Sequence, residues 1–164
     1  PMNHLPSIPD ESWRLSHMGR LLGHAMRRFD ARVLTLMAHD VQVPLALSNL
    51  AAKGQISAAH IHLTRHLPLK GARLVDLAQS ADMSKQAMAQ LLAQCEAWGL
   101  IEKSADPRDA RAKLVVFTSL GLQWLQGFER AVRQTEAEFV QEVGAEVATV
   151  VRIGLEAYAN AYNG

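Results

Sequence analysis

The chain has 164 residues, of which 49% are hydrophobic, 20% charged and 5% aromatic, and its formal net charge is +1. This composition excludes a disordered chain and disfavours an aromatic-rich all-β sandwich, and the length fits one domain with extensions. The near-zero charge gives no sign of a nucleic-acid-binding protein, which a strongly basic balance would indicate.

The first part of the chain is predicted to be helical after a flexible arm at residues 1–9. Apolar residues recur every three or four positions from Met18 to Leu36, so one long helix is expected over about residues 10–38. A short helix is predicted over about residues 44–52, followed by Gly54. Ser57 is the expected N-cap of a helix over residues 58–66.

The middle of the chain predicts two further helices joined by a tight connection at residues 81–83. The first is short, over about residues 73–79. Ser84 is expected to cap the second, which runs to about residue 98 and ends at Gly99 in a left-handed turn. Its inward face is predicted to hold Met88, Leu91, Leu92 and Cys95.

The pattern then changes to that of a hairpin. Residues 100–103 and 113–118 are predicted strands, and the polar residues 104–112 are predicted to form the turn. Helix resumes at about residue 118 and continues to about 162, with a break near Gly144. The expected apolar face of its first piece comprises Leu122, Leu125, Phe128, Val132, Thr135 and Phe139. The order predicts a mainly α fold with a small β-hairpin, a winged helix-turn-helix.

The charges are unevenly distributed. Basic residues outnumber acidic ones by eight to four in residues 1–71, the two kinds are equal at six each in residues 72–118, and acidic residues lead by six to three in residues 119–164. An acidic C-terminal part is unsuited to contact with a polyanion, whereas the earlier parts are suited to it.

Several other classes of protein are disfavoured. The single cysteine, Cys95, excludes a disulfide framework and fits a reducing, cytoplasmic setting, and its inward position favours an inert core residue over a redox sensor. No membrane span or secretory signal is expected, and Pro1 ahead of Met2 is interpreted as a cloning remnant. No catalytic motif is found, so neither an enzyme nor a cofactor is predicted.

The second helix of the predicted helix-turn-helix carries side chains suited to DNA. Lys85, Gln86 and Gln90 are expected on its outer face, where lysine pairs with guanine or phosphate and glutamine with adenine. Ser84 at the helix start can offer its hydroxyl to a phosphate. At the hairpin tip, Arg108 and Arg111 are candidates for the narrow minor groove. The alternatives are a solvated helix face and a charged surface hairpin.

These segments together resemble the MarR family of bacterial transcriptional regulators. The resemblance is carried by LVDLA at residues 74–78, MSKQAM at 83–88, LL at 91–92, EAWGLI at 96–101, DPRDAR at 106–111 and LVVFTSLG at 114–121. The Asp-Pro-x-Asp-x-Arg pattern is its most specific part. The resemblance covers about residues 57–121 strongly, and the flanking helices match only in kind.

The resemblance implies a homodimer formed through N- and C-terminal helices that binds palindromic promoter DNA, usually as a repressor released by a small aromatic or phenolic ligand. It makes Arg111 the minor-groove arginine and Asp109 its positioning partner. The full set of predicted DNA contacts is Arg73, Ser84, Lys85, Gln86, Gln90, Arg108, Asp109 and Arg111. Two features depart from the family: Ala110 replaces a frequent second arginine, and residues 43–54 look inserted.

The expected organisation is one protomer over residues 1–164. Residues 57–121 form its DNA-binding lobe, and residues 10–56 and 122–164 form a helical dimerisation region. The resemblance places a ligand pocket between these regions, with Trp13, His17, Arg20, His24, His60 and Arg65 as candidates for binding an aromatic acid. The alternative is interface packing and a solvated face.

Two other functions remain as alternatives. His62 and His66 have the i, i+4 spacing of metal ligands and so permit a metal-responsive regulator, although no Cys or further His pair completes the site in sequence. A winged-helix module that binds proteins rather than DNA is the third possibility, and it predicts no salt-dependent DNA binding.

Overall fold

The computed structural model describes residues 10–161, so the predicted arm at residues 1–9 lies outside the described residues. The elements in chain order are α1 (Ser12–Ser16), α2 (Met18–His39), α3 (Leu45–Ala52), α4 (Ala58–His66), α5 (Leu74–Ser80), α6 (Lys85–Ala97), β1 (Ile101–Asp106), β2 (Asp109–Phe117), α7 (Ser119–Val143) and α8 (Ala145–Asn160). The predicted mainly α fold with one β-hairpin is confirmed.

The long first helix was predicted as one piece and is two. His17 has an extended backbone (ψ 151°), and its Nδ1 accepts the backbone N–H of Arg20 at 3.2 Å, so it is the N-cap of α2. A histidine in this role gives no signal in the apolar periodicity, which runs on undisturbed. The predicted apolar face is buried only in its second half: Val33 is fully buried, whereas Met18 and Leu22 are exposed.

The segment that looks inserted is part of the core. Val43, Leu47 and Ala51 are buried in and beside α3, which packs on α2. A Cβ added to Gly127 of α7 would lie 2.4 Å from Cγ2 of Val43. The absence of a side chain at Gly127 therefore lets α7 approach this segment closely.

The hairpin is longer than predicted. Strands β1 and β2 pair antiparallel from Ile101 and Phe117 to Asp106 and Asp109, which leaves only Pro107 and Arg108 in the turn. The predicted turn over residues 104–112 is wrong because the backbone ladder continues through polar residues that are largely exposed. A two-stranded ribbon holds such residues by backbone hydrogen bonds, and no apolar pattern marks them.

The inward face of α7 lies one or two positions away from the predicted one. The structure buries Gly121, Trp124, Gly127, Ala131 and Thr135, and Leu122 and Phe139 are exposed. Leu125, Phe128 and Val132 are half-buried at its border, so the prediction was right for Thr135 and in part for these three. The predicted break is confirmed at Gly144, whose φ of 92° ends α7.

The core connects the lobe that contains the hairpin to the flanking helices. Trp124 is 1% exposed, and its indole N–H donates to the Thr64 hydroxyl of α4 at 3.2 Å. The Thr64 hydroxyl in turn donates to the backbone oxygen of His60 at 2.9 Å. These buried bonds satisfy the polar atoms of α4 and fix it against α7.

Candidate nucleic-acid interface

The second helix of the helix-turn-helix has the predicted phase. The hydroxyl of Ser84 accepts the backbone N–H of Ala87 at 3.1 Å and caps α6, as predicted. The predicted inward residues of α6 are all buried: Met88, Leu91, Leu92 and Cys95. Lys85, Gln86 and Gln90 are exposed on the other side. The helix therefore presents a polar face next to a capped N-terminus.

The start and end of α6 are sharp. Asp82 in the connection from α5 has a φ of 53°, a left-handed conformation that aspartate tolerates better than most side chains. Gly99 has a φ of 76° just after the helix, as predicted. These two residues set the directions in which the chain enters and leaves the helix.

The hairpin carries its two arginines into solvent. The side chains of Arg108 and Arg111 are 86% and 94% exposed. Asp109 accepts the backbone N–H of Arg111 at 3.1 Å, and its carboxylate lies 3.5 Å from Nε of the same arginine. Asp109 is thus in contact with Arg111, and the exposed guanidinium remains able to bind another group.

Asp106 is one of the two aspartates of the hairpin motif, and it fixes the base of this turn through a partner, Arg73, that the sequence does not indicate. Its side chain is fully buried and accepts the backbone N–H of Arg108 at 2.9 Å and Nε of Arg73 at 2.8 Å. The Arg108 amide and the Arg73 guanidinium hold the pKa of Asp106 below its usual range. The only signal in the sequence is an Asp-Pro pair at the end of a strand.

Arg73 therefore has a structural partner that the sequence did not reveal. It precedes α5, and its ion pair with Asp106 connects the helix-turn-helix to the hairpin. The neighbouring backbone adds a second connection, because Ala72 and Val115 exchange both backbone hydrogen bonds, at 3.1 and 2.8 Å. Arg73, Val75, Asp76 and Arg108 line an open cleft of 510 Å³ between α5 and the hairpin.

None of the six residues predicted to bind a ligand lines the cleft beside the hairpin or the cleft between α2 and α7. Four are exposed on or beside α1 and α2: Trp13, His17, Arg20 and His24. Arg65 is ion-paired with the buried Asp30 and lies 5.9 Å from the ring centroid of Phe128. His60 has both ring nitrogens bonded within the protein. Ligand binding by these residues stays a prediction.

The histidine pair and the cysteine have ordinary structural surroundings. The rings of His62 and His66 are 4.6 Å apart, and Nε2 of His62 lies 2.7 Å from the backbone oxygen of Ala81. Among residues 10–161, no three His, Cys, Asp or Glu side chains are grouped as metal ligands. Cys95 is buried as predicted, and burial raises the pKa of its thiol to about 12, which disfavours the reactive thiolate.

None of the described helices combines the length and apolar character that crossing a membrane requires.

Comparison with known proteins supports the predicted resemblance. A model of the MarR family matches residues 61–112, from α4 to the hairpin. No curated protein sequence matches the chain significantly.

Solved structures share the fold over nearly the whole chain. One is the transcriptional repressor CouR bound to a 23-mer DNA duplex, with 17% identity and a TM-score of 0.68 over 93% of this chain and 99% of that chain. The C80S mutant of MarR from E. coli with operator DNA has 16% identity and a TM-score of 0.68, over 92% and 99%. The PcaV regulator from Streptomyces coelicolor with its natural ligand has 16% identity and a TM-score of 0.64, over 95% and 99%.

Proposed function

Since residues 61–112 carry a MarR-family winged helix-turn-helix, we propose that this protein is a homodimeric regulator that binds promoter DNA and controls transcription from it. Residues 57–121 act as the DNA-binding lobe. Residues 10–56 and 122–164 form the dimerisation region, and the protein acts in the cytoplasm without catalysing a reaction.

One observation carries the proposal: a capped helix with a polar outer face and a hairpin with two exposed arginines are fixed to one another. The Arg73–Asp106 ion pair and the Ala72–Val115 pairing connect the base of the hairpin to the start of α5. The helix α6 and the hairpin are therefore already ordered before DNA binds, so binding costs little conformational entropy.

The proposed contacts divide between the two grooves. Lys85, Gln86 and Gln90 on α6 read base edges in the major groove, and Ser84 lies near a phosphate. Arg111 enters the minor groove, where the negative electrostatic potential of the DNA is strongest. Asp109 contacts Arg111 and orients its side chain. Arg108 contacts the backbone beside it, and Arg73 supports the hairpin through Asp106.

The proposed dimer rests on apolar side chains that a single chain leaves uncovered. Leu15 is exposed in α1, and Met18, Leu22 and Met26 are exposed at i, i+4 spacing in the first half of α2. Helix α8 has no buried residue at all and exposes Val147, Val150, Ile153 and Tyr158, among others. Two such uncovered faces near opposite ends of the chain fit a symmetric interface with a second copy.

We also propose that the regulator is a repressor released by a small ligand. The support is the fold shared with the repressor CouR and with PcaV, which was solved with its natural ligand. The candidate residues are Trp13, His17, Arg20, His24, His60 and Arg65, and a partner chain would have to complete the pocket. An aromatic acid that raises the thermal stability of the protein would support this assignment.

The test of the DNA-binding proposal is Arg111→Ala. A labelled duplex from the region upstream of the chain's own gene is titrated with each protein at low salt. We expect the variant to bind about tenfold more weakly or worse, because losing an arginine contact in each lobe costs about 1–3 kcal/mol per contact. The variant should remain folded and dimeric, since this side chain is 94% exposed.

The matched control is Arg133→Ala, which removes an equally charged, exposed side chain from α7. It should bind like the parent protein. Equal affinity of Arg111→Ala and the parent would contradict the assignment of the hairpin. If the parent itself fails to bind the duplex at low salt, the regulator proposal is wrong and a protein-binding winged helix becomes the better account.

A further inference from the structure

Two ion pairs connect the end of α7 to α2. Arg28 donates two hydrogen bonds to Glu142, at 2.9 and 2.6 Å, and Arg32 donates two to Glu138, at 2.8 and 2.7 Å. The paired positions follow one antiparallel edge of the two helices, since α2 is read forward while α7 is read backward. Arg32 lowers the pKa of Glu138 to about 2, and Arg28 lowers the pKa of Glu142, so both glutamates are charged at neutral pH.

A third ion pair connects the same end of α7 to α8. Helix α8 begins after the bend at Gly144, and Nη2 of its Arg152 lies 3.0 Å from Oε1 of Glu136. Three of the six acidic side chains in residues 119–164 are thus paired with arginines from two other helices. The acidic end of α7 is therefore a junction between α2 and α8.

These pairs lie where the apolar core does not reach. Residues 18–28 of α2, residues 136–143 of α7 and residues 145–160 of α8 contain no buried side chain. The buried residues begin at Asp30 in α2 and end at Thr135 in α7. Exposed ion pairs usually contribute little to stability, but doubly bonded arginine–carboxylate pairs and networks of charges are the exceptions. The three pairs are therefore suited to fix the directions of helix segments that the core does not hold.

We propose that these three ion pairs are positioning contacts for dimerisation, which hold the uncovered apolar faces of α2 and α8 in the arrangement that a second copy of this chain covers. The inference rests on the proposed function, because the partner is the second protomer of the proposed dimer. The exposed Met18 and Leu22 precede Arg28 on α2, and the exposed Val150 precedes Arg152 on α8. Holding both faces in place before association lowers the conformational entropy that association costs.

Two charge reversals test the two connections separately. Glu142→Arg places a like charge opposite Arg28, and Glu136→Arg places one opposite Arg152. Each reversal is compared with its swapped pair, Arg28→Glu with Glu142→Arg or Arg152→Glu with Glu136→Arg, in which the attraction returns with the charges exchanged. The control is Glu129→Arg, because Glu129 is exposed and its ion pair lies within α7 itself.

The dimer dissociation constant of each full-length protein is measured by sedimentation equilibrium at low salt, where exposed charges are least screened. We expect each single reversal to weaken the dimer about tenfold, because both protomers lose an ion pair and gain a repulsion, and each swap to restore it to within about twofold. Glu129→Arg should match the parent. Reversed variants that dimerise like the parent, or swaps that stay as weak as the single reversals, would overturn the proposal.

Amide hydrogen exchange distinguishes the failure of this proposal from the failure of the proposed dimer. A parent that stays monomeric at every concentration contradicts the dimer, and the ion pairs can then still be judged in the single chain. Residues 136–160 should exchange about fivefold faster in each reversal than in the parent, and at the parent's rate in each swap. Equal exchange in all of these proteins would show that the pairs do not hold the helices in place.

Discussion

Replacing Gly121 with alanine is expected to destabilise the protein by about 3 kcal/mol or more. Gly121 is buried in the first turn of α7, and an added Cβ would lie 1.9 Å from the backbone oxygen of Leu100. That oxygen accepts the backbone N–H of Thr118 at 3.1 Å, and the Thr118 side chain caps the helix. Relief of the clash therefore requires the start of α7 to move away from the hairpin.

The measurement is denaturant unfolding at a fixed protein concentration, because dimerisation makes apparent stability depend on concentration. Gly23→Ala is the control, since its new Cβ would meet only the end of the flexible Arg27 side chain, at 3.5 Å. It should leave the midpoint unchanged or raise it slightly, as alanine favours helix. A midpoint for Gly121→Ala as high as that of the parent would show that α7 does not approach Leu100 as described.

Val150→Glu is expected to convert the dimer to a monomer and to lower DNA affinity about 100-fold or more. Val150 is 68% exposed in one chain and shares a face of α8 with Val147 and Tyr158. A glutamate there would be buried without a partner in the proposed interface. A monomer then contacts only half of the palindromic DNA site with its single lobe. It loses the binding free energy that the second lobe of the dimer adds. Because α8 has no buried residue, the monomer should keep its fold.

Light scattering gives the molar mass, and titration of the upstream duplex gives the affinity. Thr149→Glu is the control, because this exposed residue lies on the side of α8 that carries Glu146 and Glu156. It should remain a dimer and bind DNA like the parent. A dimeric Val150→Glu protein would place the interface elsewhere on the chain.

Local signals in the sequence were sufficient for much of the DNA-binding lobe. Ser84, Gly99 and the buried face of α6 each follow from contacts within a few residues, such as a capping hydroxyl or a left-handed turn. The Asp-Pro-x-Asp-x-Arg pattern predicted the hairpin and the resemblance to the MarR family, which the family model matching residues 61–112 supports. These features are local, so a single sequence is enough to predict them.

The features that were missed depend on distant contacts. The buried Asp106 is neutralised by Arg73, 33 residues away, and the buried indole N–H of Trp124 has its acceptor in Thr64, 60 residues away. The contact between His60 and Gln94 joins residues 34 positions apart in the chain, and the sequence gives no sign of it. Which polar residue finds a partner is decided by tertiary packing, which periodicity does not reveal.

We infer that this fold binds promoter DNA as a dimer with two winged lobes. The most direct measurement is the affinity of the parent protein for the upstream duplex and for a scrambled duplex of equal composition, over a series of salt concentrations. We expect tighter binding to the upstream duplex, and a slope of log K against log salt of about −5 or steeper from the phosphate contacts of both lobes. Equal, weak and salt-independent binding to the two duplexes would contradict it.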